Sequence, residues 1–256
     1  MPPPMPVIFI GHGSPMNAIE DNEFSKGWKA LAKKIPKPKA ILCVSAHWMR
    51  EGTAITAMEK PKTIHDFYGF PRALYNVRYP AKGSAALAKK ISKSISLVKV
   101  SLDREWGLDH GSWSVLKNMY PVPDMPILQL SLDYQLSLDK IFRIGKELSS
   151  LRKKGVLIIG SGNIVHNLMV MRQGQKPYGW AADFDAFVKG CLKRKDHRAL
   201  INYADHPSSS LALPTNEHFL PLIYCIGAAS DEVPEFFNEK IVYGSVSMRG
   251  AVLGKN

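Results

Sequence analysis

Short, almost uninterrupted apolar runs alternate with amphipathic stretches along this 256-residue chain. They recur at residues 6–10, 40–46, 53–57, 96–102, 126–132, 155–160 and 240–247. Runs of this length without polar alternation are expected of strands covered on both faces. The intervening segments have helical spacing. Phe24, Trp28 and Leu31 share one face of a helix over 23–34, and Ala86, Leu87, Ile91 and Ile95 mark another over 83–95. Further helices are expected over 137–153, 180–193 and 215–228. Strands alternating with helices predict an α/β fold, a three-layer α/β/α sandwich around a mostly parallel or mixed central sheet. Prolines at 36, 38, 61, 71, 121, 123, 126 and 214 punctuate connections, and no linker or repeat divides the chain. One domain over 1–256 is expected.

Composition excludes several classes. A hydrophobic share of 45% and a charged share of 22% are those of an ordinary globular protein. No apolar stretch approaches the roughly 20 residues of a membrane span. The opening Met1–Pro6 lacks the basic and apolar regions of a signal peptide. Cys43, Cys191 and Cys225 are odd in number and share no metal-binding spacing, as expected of a cytoplasmic protein. The net charge of +12 comes from short clusters near expected helix C-termini, such as Lys33-Lys34 and Lys193-Arg194-Lys195. None interleaves aromatic residues in a nucleic-acid pattern. Solvated helix ends are the expected reading of these clusters, with attraction of anionic substrates or partners as the alternative.

Four of the eight histidines lie where apolar runs end or begin. His12 follows Val7–Gly11, His47 follows Ile41–Ala46, His166 lies beyond Val156–Asn163, and His218 opens Phe219–Tyr224. In an open α/β sheet, ligands bind at the carboxyl ends of the strands, so imidazoles delivered there can converge on one metal ion. Each histidine alone also fits a turn or core position; two closing two strands favour a ligand pair. His65 sits in an aromatic loop, where it either shapes a pocket or pins the loop. His110 follows Asp109, which can cap a helix beginning near Ser112. Gly160-Ser161-Gly162-Asn163 resembles a phosphate loop, but no Lys-Ser/Thr follows. Its glycines allow His166 to approach a metal as ligand or base. Of the neighbours Glu217 and His218, one is expected to reach the site. His197 and His206, in polar surroundings, are expected at the surface. Imidazole ligands suit Zn, Fe, Cu and Ni, and three ligands with open positions suit a catalytic centre.

Gly11–Met16, Ser45–Trp48, Thr63–Pro71, Trp106–Trp113, Gly160–Leu168 and Glu217–Leu222 occur in this order over almost the whole chain. Together they resemble the 4,5-DOPA extradiol dioxygenase family, among the class III ring-cleaving dioxygenases that include the protocatechuate 4,5-dioxygenase catalytic subunit. The resemblance implies non-haem Fe(II), with Zn(II) as the metal described in bacterial members. It implies His12, His47 and His218 as ligands, and His166 as the acid/base, close enough to count as a further ligand. His110 is implied near the substrate and the reaction. Ser14, His65, Phe67 and Trp113, with Tyr68, are assigned to the substrate side. The substrates implied are O2 and a catechol, with the surplus positive charge favouring one that bears a carboxylate.

Two departures stand out. The wider class uses a carboxylate as third ligand, where this chain offers His218 with Glu217 beside it. Plant members carry His-Pro-Ser where this chain has His166-Asn167-Leu168, a difference that bears on whether DOPA itself is the substrate. A zinc hydrolase on the same site and a catalytically silent metal-binding scaffold are the alternatives.

Overall fold

The computed structural model describes residues 3–229 and 231–254. The first two residues of Met1–Pro6 and the last two of the 1–256 span lie outside the described residues. In chain order the strands are β1 (Val7–Gly11), β2 (Ala40–Arg50), β3 (Thr53–Thr56), β4 (Val100–Asp103), β5 (Ile127–Asp133), β6 (Val156–Gly162), β7 (Pro234–Phe237), β8 (Ile241–Val242), β9 (Val246–Ser247) and β10 (Gly250–Leu253). Eight of them form one sheet, in the order β4-β3-β5-β2-β6-β1-β10-β7. The centre, β5-β2-β6-β1, is parallel, whereas β10 and β7 continue it antiparallel. The sheet is therefore mixed.

Alternate residues of the central strands point into two separate cores, as a pleated strand requires. Ile8, Ile10, Ile41, Cys43, Leu157 and Ile159 pack with Trp28 of α1 (Glu23–Lys34). Trp113 and Leu116, from the helix His110–Met119, join the same core. Val7, Phe9, Leu42, Val44, Leu128 and Ile158 face the other way. They meet the helices Ala85–Ser94, Leu138–Arg152, Gly179–Arg194 and Leu220–Ala229. Two cores on opposite faces of one sheet make the expected three layers.

The expected elements differ from the observed ones in instructive places. The run at 96–102 forms a strand only from Val100, because the backbone N–H groups of Ser96 and Leu97 donate to the Glu147 carboxylate at 2.9 and 3.3 Å. The run at 240–247 is not one strand. Tyr243 (φ 52°) and Gly244 (φ 77°) turn the chain between β8 and β9, which pair with each other away from the main sheet. The helix expected from 215 begins at Leu220.

One buried ion pair ties the chain's end to this frame. Arg249 donates to Asp185 through Nε at 3.0 and 3.1 Å and through Nη2 at 2.5 Å, and also contacts Glu239. Ser247 Oγ donates to the same Asp185 carboxylate at 2.7 Å. Replacing Arg249 with Met leaves that carboxylate buried and without its cation, a change that costs about 3–5 kcal/mol. Urea denaturation of Arg249→Met is expected to show that loss of stability; an unshifted midpoint would mean that the pair contributes nothing.

Candidate metal centre and cleft

The site lies outside the carboxyl ends of β2, β6 and β1, three adjacent strands. His12 is the residue after β1. His47 rides on an arch of β2: between Val44 and Met49 the strand advances five residues while its partner β5 advances two, from Leu130 to Leu132. Extra residues of this kind re-aim side chains beside functional sites. His218 comes from the turn before the helix Leu220–Ala229. Its backbone passes so close to the end of β6 that a Cβ on Gly162 would lie 2.1 Å from its carbonyl oxygen. Only glycine admits that approach.

The three rings converge. His12 Nε2 lies 3.1 Å from His47 Nε2, and ligand atoms of His12, His47 and His218 all lie within 4.8 Å of one another. The opposite nitrogens fix the tautomers. Ser161 Oγ spends its proton on the Gly111 carbonyl at 2.6 Å, so at 3.0 Å it accepts from His12 Nδ1–H. Glu217 Oε1 accepts from His218 Nδ1–H at 3.0 Å. Asp66 Oδ2 lies 3.4 Å from His47 Nδ1. His12 and His218 therefore present Nε2 lone pairs to a common point, and His47 Nε2 joins them when its proton sits on Nδ1, toward Asp66. His218 Nε2 is buried there without a hydrogen-bond partner, at the usual cost of an unsatisfied polar atom. Facing lone pairs and an orphaned nitrogen are what a cation would satisfy, so the residues fit a divalent metal with nitrogen preference.

Burial keeps these imidazoles neutral. It holds His12 and His218 well below the ordinary histidine value, with neighbouring imidazoles adding to the effect. It lowers His47 to about 3, helped by His110, and His166 to about 4. Neutral imidazole is the ligating form. His166 stacks on His218, with ring centroids 3.4 Å apart, and among the described residues neither of its ring nitrogens takes a hydrogen bond. Its backbone is anchored to the Ala212 carbonyl at 2.8 Å and bridges to Val246.

A cleft of about 690 Å³ opens from this centre. His110, Phe67 and Ser14 line it, together with Phe70, His166 and Met248. Asp66 clamps His110, accepting from its backbone N–H and from Nδ1–H at 2.9 Å each. Asp109 is the N-cap of the helix His110–Met119, as its position suggested. Burial, and after it Asp66, raises the Asp109 carboxyl to about 6. His65 and Trp113 stand behind the wall rather than in it. His65 Nε2 donates to the Val77 carbonyl at 3.0 Å, and Trp113 Nε1 to the Ile64 carbonyl at 2.7 Å. Their rings are 5.5 Å apart, and both lie near Phe67. Tyr68 is 93% exposed and does not line the cleft. His197 and His206 do not line the cleft, and both are half-buried rather than at the surface as expected, His206 against Phe187.

Sequence reasoning passed over Ser161, Asp66 and Met248. Asp66 had a signal, since it adjoins His65 in an extended segment where neighbours face opposite ways. Ser161 and Met248 had none, because only the packing of distant strands brings them to His12 and the cleft.

A strand-end histidine centre beneath an aromatic-lined cleft is the layout of a metal-dependent oxygenase or hydrolase, and comparison with known proteins separates the two. Residues 6–254 match the family described as the catalytic LigB subunit of aromatic ring-opening dioxygenase. This chain belongs to that family and is an extradiol dioxygenase. It is 46% identical over 257 residues to the 4,5-DOPA dioxygenase extradiol of Escherichia coli K12, covering 98% of this chain and 95% of that one. It is 39% identical to the Beta vulgaris protein of the same name, covering 88% and 87%. The crystal structure of an uncharacterized Escherichia coli K12 protein has the same fold, with a TM-score of 0.86 and 41% identity over 98% of this chain and all of that one.

Proposed function

We propose that this chain opens the ring of a catechol beside its two hydroxyls, with O2 as co-substrate and Fe(II) held by His12, His47 and His218. The observation that carries this reading is the convergence of His12, His47 and His218 at the head of an aromatic-lined cleft, with His12 and His218 each held by a hydrogen bond on the far side of the ring and His47 Nδ1 3.4 Å from Asp66. Its volume suits a substituted ring. When bound, Fe(II) supplies sites for the diol oxygens and O2 and passes electron density between them.

The rest falls to side chains. His166, held neutral and with no hydrogen bond to either ring nitrogen, accepts a proton from a catechol hydroxyl and returns it as the C–C bond beside the diol breaks. His110, with Nδ1–H given to Asp66, keeps Nε2 for the substrate. Phe67 and Phe70 bound the ring, and Ser14 adds a hydroxyl to the wall. Both atoms of O2 enter the product, a semialdehyde acid with the formula of catechol plus O2. The three cysteines are buried free thiols, in keeping with the reducing cytoplasm in which we place the reaction. Among the described residues, no helix is long and apolar enough to cross a membrane.

The test is to load the protein anaerobically with Fe(II), add a catechol, and admit air. The expected result is a yellow semialdehyde absorbance with one O2 consumed per ring. No colour and no O2 uptake across a catechol panel would overturn the reading. Stoichiometric zinc with oxygen-independent ester turnover would put a hydrolase in its place.

A further inference from the structure

The chain carries a net charge of +12, yet among the described residues no lysine or arginine lines the cleft. Its charged wall residues are both acidic, Glu20 and Asp66. Asp66 is committed to His110 and His47. Glu20 is exposed, and its carboxylate accepts one hydrogen bond, from Asn22 Nδ2 at 3.2 Å. The cations near it are engaged by other groups, Lys117 by the Ala18 carbonyl at 3.1 Å. Lys26 and Lys29 pair with Asp21 at 3.3 and 3.2 Å. Lys240 pairs with Glu23, and Arg249, next to the wall residue Met248, is taken by Asp185 and Glu239. Arg172 lies between the wall residues Met171 and Gln173 but is not itself part of the wall.

A carboxylate entering this cleft would meet Glu20 with no compensating cation on the wall. An ammonium would meet an acceptor carboxylate, with the aromatic rings of Phe24 and Tyr243 on the same wall. We propose that Glu20 is a specificity-determining residue that receives the ammonium group of a catechol amine and disfavours catechols whose only charged substituent is a carboxylate. This reverses the preference that the chain's overall charge suggested, and it rests on the catechol reading of the site.

The test uses three catechols of similar size that differ in side-chain charge: 3,4-dihydroxyphenethylamine, 3,4-dihydroxyphenylethanol and 3,4-dihydroxyphenylacetate. Binding to the Fe(II) protein is measured anaerobically by calorimetry, and turnover is measured separately in air. The amine is expected to bind about tenfold more tightly than the acid, with the alcohol between them, a gap that narrows as salt is added. In Glu20→Gln the amine-to-alcohol ratio should fall toward one, through KM rather than kcat, and in Glu20→Lys the acid should overtake the amine. Equal binding of all three, a preference for the acid, or an order unchanged in Glu20→Lys would overturn the proposal, as would no binding at all. Charge-selective binding without ring opening of any catechol would leave Glu20's role standing and sink the dioxygenase chemistry instead.

Discussion

His218→Ala is expected to yield a folded protein that no longer retains its metal and no longer opens catechol rings. Among the described residues, the ring it removes carries the one fully buried site nitrogen without a hydrogen-bond partner, and the Glu217 oxygen that loses His218 Nδ1–H keeps the Thr215 hydroxyl. The loss of metal affinity should exceed the about 10–100-fold typical when an outer partner of a ligand is removed. Glu217→Gln, which weakens the hydrogen bonds that Glu217 Oε1 accepts from His218 Nδ1 and Thr215 Oγ1, should fall within that smaller range. Equilibrium dialysis with elemental analysis separates the two variants. Retention of stoichiometric, tightly bound metal by His218→Ala would show that the third ligand lies elsewhere.

Acid should act on the metal-free protein in a related way. The site imidazoles are neutral when folded, His166 down to about 4 and His47 to about 3, because burial opposes their protonation. An unfolded histidine takes up its proton near pH 6.5. Between those values the unfolded chain binds more protons than the folded one. Stability is therefore complete above about pH 6.5 and is lost as the pH falls below it. Metal should shift that loss to lower pH, since the bound form excludes the same protons.

His166 calls for a different substitution. Phe in its place keeps a flat ring against His218, where the stack now has a 3.4 Å centroid separation, and removes only the nitrogens. Metal content should survive in His166→Phe while kcat falls by about 10²–10⁴-fold, the usual worth of a positioned general acid–base. The pH dependence of kcat should lose the limb that His166 supplies. Unchanged kcat would remove His166 from the chemistry, and loss of metal together with activity would make it a ligand.

The sequence carried most of the frame, for a physical reason. β1, β2 and β6 are buried on both faces, so their apolar runs stand out against any background. β7, Pro-Glu-Phe-Phe, escaped notice because it lies at the sheet's edge, where a proline and a charge are tolerated, and the short β10 that joins it to β1 was missed with it. The run at 240–247 misled because Tyr243 adopts a positive φ that nothing in a tyrosine announces.

At the site, position at the ends of apolar runs pointed to His12, His47, His166 and His218 together, and the family resemblance implied His12, His47 and His218 as the ligands among them. Position could not say which nitrogen faces inward. That depends on Ser161, Asp66 and Glu217, whose distances follow from tertiary packing. Nor could it rank the aromatic residues. Phe67 reaches the cleft, whereas His65 and Trp113 brace it from behind and Tyr68 turns to solvent. Net charge likewise sums over a whole surface, whereas among the described residues the cleft wall carries no lysine or arginine.

X-ray absorption at the metal edge of the Fe(II)-loaded protein reads the shell itself. Three imidazole nitrogens at about 2.0–2.2 Å, with light-atom scatterers in the remaining positions, are expected. A shell with fewer than two imidazoles, or one dominated by carboxylate oxygen or sulfur, would contradict a centre built on His12, His47 and His218.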